Sequence, residues 1–178
     1  MMRLFRSRLF RALRREDGTA SIEFVIFIPV VVMIFMASVE SGFYMAKHVM
    51  MERGLDMVMR DVRLGKISPV SQTTLRTKIC EATPFLSNCE NILKIELRPV
   101  STATFALPST STPCVNRGSA VQPAVTFTPG GSNEIMIVRV CAIQDPMFPT
   151  TGVGLRLRAD AQGGYKMIAT SFFVNEPR

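Results

Sequence analysis

The sequence has no Trp, two Tyr and a single His, and only 20% of its 178 residues are charged. Set against 47% hydrophobic residues, so little charge excludes a globally disordered chain, which needs the opposite balance. A Ser-His-Asp arrangement could use only His48, and no C-x2-C pair or second His offers the closely spaced ligands of a zinc site. The phosphate-cradling patterns G-x4-G-K-[ST] and G-x-G-x-x-G are absent; Gly152-Val153-Gly154 lacks the third glycine and the preceding strand. Asp145 and Asp160 are isolated acids on loops. Nothing here supports catalysis, so the chain is not expected to be an enzyme, and no cofactor or metal is expected. No repeat occurs at solenoid periods, and the length suits one domain, or a small domain with an appendage.

What is present is an uneven distribution of charge. The net charge of +7 raises the question of nucleic acid. However, Arg3, Arg6, Arg8, Arg11, Arg14 and Arg15, set against Glu16 and Asp17, put +4 of it into residues 1–18. Directly downstream, Phe24–Val39 is a run of sixteen residues without a charge. A basic head before an apolar run is a membrane-targeting pattern and needs no nucleic acid to explain it. The run exceeds a signal-peptide core, and Glu40 follows it without a cleavage signature. Taken from Phe24 to Tyr44 the segment has 21 residues, about 30 Å as helix, which matches the hydrocarbon thickness. We read a single-pass anchor with the arginines cytoplasmic and everything after about Tyr44 on the far side. Pro29 should kink or loosen the helix in a way that neighbouring helices compensate. Glu23 lies one residue before the run, where an interfacial carboxylate and a functional one are both open readings.

Beyond Tyr44 the pattern stays helical, with Met51, Leu55, Val58 and Val62 on one face and Glu52, Asp56, Arg60 and Arg63 on others. Leu64-Gly65 supplies a stop, so one helix is expected from about Thr19 to Leu64. The methionines Met45, Met50, Met51, Met57 and Met59 could form an adaptable binding face, but the favoured reading is core. Three strands are expected. Leu93, Ile95 and Leu97 alternate with Lys94, Glu96 and Arg98; Ile135–Ile143 is apolar enough for a central strand; Tyr165–Val174 is the third. Ser101–Ser132 has 18 Ser, Thr, Pro or Gly among 32 residues and reads as a long loop, as does Gln144–Gly164. The fold class expected is α+β, an N-terminal transmembrane helix running on into an amphipathic helix packed on a small antiparallel sheet. Cys80, Cys89, Cys114 and Cys141 all follow the membrane segment, in a compartment where disulfides persist. Three connectivities are open; we favour Cys80–Cys89, around Pro84, and Cys114–Cys141, tying the loop to the central strand.

The run Arg14-Arg15-Glu16-Asp17-Gly18-Thr19-Ala20-Ser21-Ile22-Glu23-Phe24 resembles the class III prepilin signal: a basic leader, a Gly, four residues, Glu, an aromatic and an apolar helix. More narrowly it is similar to the TadE-like pseudopilins of tight-adherence (type IVc) pilus systems. The C-terminal Phe172-Phe173-Val174-Asn175-Glu176-Pro177 is similar to the ending of some members. The resemblance covers about residues 12–45 and the last seven, and implies a pilin-like build. It also implies cleavage between Gly18 and Thr19 by a prepilin peptidase. Glu23, beside Phe24, would then be the fifth residue of the mature chain and neutralise a neighbouring subunit's amino terminus. Glu16 and Asp17 depart from the pattern by placing acid directly before the Gly. Asp-x-Ser-x-Ser is absent, so the metal-binding adhesion domain of longer relatives is not carried over.

The organisation expected is a leader over 1–18, a transmembrane helix over 19–44, an amphipathic extension over 45–65 and an exported disulfide-containing domain over 66–178. The function expected is that of a minor pseudopilin or assembly component supporting filament biogenesis and surface adhesion. Its partners would be other pilin and pseudopilin subunits, the inner-membrane assembly machinery, the prepilin peptidase and the membrane, with no nucleic acid. It would sit in the bacterial inner membrane with its C-terminal domain in the periplasm. The alternative is an anchored periplasmic binding or accessory module outside any filament, which is indifferent to Gly18 and Glu23.

Overall fold

The computed structural model describes residues 19–109, 112–156 and 162–176; the arginine leader with Gly18, and Asp160 and Pro177, lie outside the described residues. The first element is a single helix, α1, Thr19–Arg63, of 45 residues and about 68 Å. It continues through Pro29. Its end is set by Gly65 at φ 69°, where Gly65 N–H donates to Val62 O and Lys66 N–H to Asp61 O, both at 3.0 Å, a Schellman closure of the last carbonyls.

The remaining described elements form a small head on the second half of α1. Helix α2, Gln72–Ala82, starts at Ser71, whose Oγ accepts from Thr74 N–H at 3.1 Å. Helix α3, Cys89–Ile92, leads into β1, Leu93–Val100. Strand β2 is Ile135–Gln144, α4 is the single turn Gly152–Arg156, and β3 is Tyr165–Val174. The sheet order is β1-β2-β3, antiparallel throughout. The architecture is therefore α+β, a long N-terminal apolar helix followed by a three-stranded antiparallel sheet.

Alternation decides which side chains meet α1 and α2. Leu93, Ile95 and Leu97 of β1, Met136, Val138 and Val140 of β2, and Met167 and Ala169 of β3 point to one face and are buried with Met51, Leu55, Val58 and Val62 of α1. Central β2 is buried on both faces, because the irregular segment after β1 covers the other one. That segment bridges to the backbone of β1 at Leu97, whose N–H donates to Thr126 O at 3.0 Å and whose carbonyl accepts from Thr128 N–H at 2.8 Å. Beneath it the cross-strand neighbours Glu96 and Arg139 form a buried ion pair, Arg139 Nε lying 2.9 Å from Glu96 Oε2. The arginine has a further partner in the Ser109 carbonyl. Disulfides join Cys80 to Cys89, which bridges α2 and α3, and Cys114 to Cys141, which fastens the covering segment to β2.

Two expectations need correcting. Of the five methionines read as core, Met51 and Met59 are buried, but Met45, Met50 and Met57 are exposed, because the 3.6-residue period turns them away from the sheet. Helix α2 was not expected at all: only Leu75 and Ile79 of its eleven residues are fully buried, too few to set up a visible period. It sits close against α1 at Gly54, where a Cβ would come within 2.4 Å of Thr83 Cγ2.

Candidate functional site along the N-terminal helix

From Ile22 to Phe35 every side chain of α1 is exposed, including Phe24, Ile26, Phe27 and Ile34 at more than 60% of their surface. Water makes such a surface unfavourable, since each fully exposed large apolar side chain forgoes about 1.5–3 kcal/mol of burial. The helix is long and apolar enough to cross a membrane. Glu23 stands in this exposed stretch, accepting no hydrogen bond from any described residue, with Phe24 beside it. Thr19 is the first described residue, and Gly18 lies outside the described residues.

The head first grips the helix at Glu40, ahead of the boundary expected at Tyr44. Glu40 is 1% exposed although it directly follows the uncharged run. Its carboxylate accepts two backbone hydrogen bonds from the loop after β2, from Met147 N–H at 3.1 Å and Phe148 N–H at 2.8 Å. Charge-assisted bonds of this kind offset the cost of burying the group. The loop is itself tightly built: Thr151 Oγ1 donates to Phe148 O at 2.9 Å, and Gly154 N–H donates to Thr151 Oγ1 at 3.3 Å. A Cβ on Gly154 would lie 2.3 Å from the Phe148 carbonyl oxygen, so only glycine fits there.

One turn further along, Tyr44 packs edge-on against Tyr165 with centroids 5.2 Å apart. Burial pushes the Tyr165 hydroxyl up to about 12, and the charge of Glu40 adds to this, followed by Tyr44 and Asp145. Lys47 donates to Gln144 Oε1 at 3.3 Å. His48, read from the sequence as a solvated side chain, is half-buried instead: its Nε2–H donates to the Ile168 carbonyl of β3 at 3.1 Å, and Nδ1 lies 3.5 Å from Glu52. From Glu40 to His48 each helical turn thus carries a side-chain link to the sheet domain, polar at Glu40, Lys47 and His48 and aromatic at Tyr44. Sequence reasoning missed Glu40, although the signal was there. Counting back from Met51 by three and four gives 48, 44 and 40, so Glu40 lies on the buried stripe itself.

At the other end of α1 the Asn-Glu pair before Pro177 holds three pieces together. Asn175 Nδ2 donates to the carbonyls of Pro129 at 3.0 Å and Gly131 at 3.2 Å, and Glu176 pairs with Arg63 Nε at 3.1 Å. These residues line a cleft of about 440 Å³ with Ser68 and Pro69. Among the described residues no three His, Cys, Asp or Glu side chains gather as a metal site requires.

No curated protein and no solved structure matches the chain. A family model does: residues 18–60, the stretch that runs from Gly18 through Glu23 and Glu40 to Arg60, match the family described as TadE-like protein, one of pilus structure and assembly, which ties the chain to tight-adherence pilus systems.

Proposed function

We propose that the chain is a minor pseudopilin or assembly component of a tight-adherence pilus system, anchored by a single pass of α1, with its disulfide-bonded head in the periplasm. Residues 1–18 are then a cytoplasmic leader that a prepilin peptidase removes between Gly18 and Thr19. The membrane segment begins at Thr19 and its outer end lies near Glu40. The observation that carries this reading is the uncovered apolar surface Ile22–Phe35, which the head leaves free along its whole length with Glu23 standing in it. A carboxylate at bilayer depth costs about 2.5–3.5 kcal/mol unless it is paired. The new amino terminus of a neighbouring subunit supplies such a partner, so Glu23 serves assembly and Phe24 packs beside it. Adhesion follows from the filament that the subunits support.

The test is intact mass after extraction from the membrane, combined with surface attachment. Wild-type protein should begin at Thr19. Gly18→Val should retain residues 1–18, because a β-branched side chain obstructs the extended backbone at the scissile bond. Glu23→Ala should be cleaved normally and still lose attachment. Unprocessed wild-type protein with normal attachment would favour the anchored accessory module instead.

A further inference from the structure

The loop between β2 and α4 and the turn α4 itself present an apolar surface that the fold of the head does not use. Pro146 to Leu155 carries no charge. Met147 is 51% and Leu155 48% exposed, and Arg156 follows at the exposed end of α4. The acid at the start of the loop, Asp145, is neutralised by Arg117 Nη1 at 2.7 Å.

What matters is where this surface is held. Met147 and Phe148 are bound through their N–H groups to Glu40, one residue after the uncharged run ends, and α4 packs against α1. Side chains on a helix lean towards its N-terminus, so the Glu40 carboxylate reaches back along α1 towards Val39 and Met36, and the loop is drawn with it. One turn earlier the exposure of α1 already falls at Met36 and Ala37, and just beyond them Phe35 and Ile34 are wide open. The backbone bonds at Met147 and Phe148 therefore hold the loop, with its exposed Met147 and Leu155, beside the stretch of α1 where the exposed apolar surface ends. The depth of the loop is set by a buried, doubly bonded carboxylate rather than by a flexible tether.

We propose that this loop is a lipid-contacting foot. Met147 and Leu155 enter the headgroup and upper acyl region of the same leaflet from which α1 emerges, and Arg156 lies at the lipid phosphates. This rests on the reading of α1 as a membrane span. Apolar side chains at that depth are favourable by burial and an arginine by attraction to the anionic surface. The foot fixes the head at a set tilt over the membrane, which a single helix crossing by itself does not do.

The absence of tryptophan makes the test direct, since any introduced Trp is the sole reporter. The full chain is prepared as Leu155→Trp, Met147→Trp and, as a remote control at a residue 82% exposed, Val121→Trp, and each is reconstituted into phosphatidylcholine–phosphatidylglycerol vesicles with and without brominated acyl chains. The expected result is flotation of all three with the vesicles, and a blue shift with loss of emission in brominated lipid for Trp at 155 and 147 but not at 121. Flotation without quenching at 155 and 147 overturns the foot and leaves the anchor standing. A blue shift that bromine does not quench also overturns it, because protein then covers the loop. Equal quenching at all three sites overturns it too, since the head would be lying flat on the bilayer. Failure to float removes the membrane reading of α1 and the foot together.

Discussion

Replacing Glu40 separates two physical pictures of the same residue. If Glu40 merely marks the end of the apolar run, Glu40→Leu lengthens that run and by transfer free energy should be favourable. If it is the clasp described above, the substitution leaves the N–H groups of Met147 and Phe148 without an acceptor in a site from which water is largely excluded. Hydrogen bonds to a charged group contribute about 1.5–3 kcal/mol each, and relief of the carboxylate's own desolvation returns part of that. A net loss of about 2 kcal/mol in the stability of the loop against local opening is expected, equivalent to roughly 30-fold faster exchange. Amide hydrogen exchange of the protein in nanodiscs reads this directly. The amides of Met147 and Phe148 should exchange about 30-fold faster in Glu40→Leu, with the interior of β2 unchanged. Glu40→Gln should fall between, because its amide offers one acceptor and turns an N–H donor towards the other backbone donor. Exchange within about threefold of wild type in Glu40→Leu would refute the clasp, since about 0.6 kcal/mol is less than even one hydrogen bond to a charged group contributes.

Tyr165 gives a second check on the same neighbourhood. Its folded value of about 12 lies above the ordinary 10.0, so the folded state favours the neutral phenol; that stabilisation is complete below pH 10 and is lost as the pH rises through about 12. In Tyr44→Phe, where Tyr165 is the sole tyrosine, tyrosinate absorbance should rise with a midpoint near 12, and a midpoint near 10 would show that the ring is not buried beside Glu40. The disulfides should differ in weight, because Cys114–Cys141 spans 27 residues and Cys80–Cys89 spans 9. Chain entropy gives about 3–4 kcal/mol for the longer loop and about 2–3 for the shorter. Denaturant unfolding should therefore show the larger loss for the Cys114→Ser, Cys141→Ser pair, and the reverse order would contradict the entropic account.

Those elements of the fold that bury a regular face could be read in the sequence, and those held by single contacts could not. Met51, Leu55, Val58 and Val62 repeat at helical spacing over three turns, and Leu93, Ile95 and Leu97 alternate with charged residues; both patterns report burial because one face alone is covered. Strand β2 lost its alternation for the physical reason that marked it as central, burial on both faces. Helix α2 has a hydroxyl cap, a disulfide to α3 and two core side chains, and no statistic of its eleven residues conveys that combination. Glu40 was hidden for a different reason. A carboxylate on an apolar stripe reads as an interruption, and only the loop that returns 107 residues later turns it into a link. His48 was hidden in the same way, its partner being a backbone carbonyl on β3.

The two acids that bracket the uncharged run are satisfied by different means, and this bears on how subunits would meet. Glu40 spends both oxygens on its own chain. Glu23 accepts nothing from the described residues and stays exposed, so any compensation for its charge has to come from outside the described fold. Seventeen positions separate them, which at helical geometry is about 26 Å along the axis and about 100° around it. The head grips α1 on the Glu40 side, so Glu23 looks out on a sector of the helix that the head does not occupy. On the assembly reading a neighbour's amino terminus reaches Glu23 without displacing the head. The clasp at Glu40 and the proposed pairing at Glu23 are therefore compatible in one subunit. That compatibility predicts independence: Glu40→Leu should loosen the loop while leaving attachment dependent on Glu23, and Glu23→Ala should abolish attachment while leaving exchange at Met147 and Phe148 at its wild-type rate. Coupling between the two readouts would mean that the helix cannot serve both contacts at once, and the assembly role would then have to pass through the head.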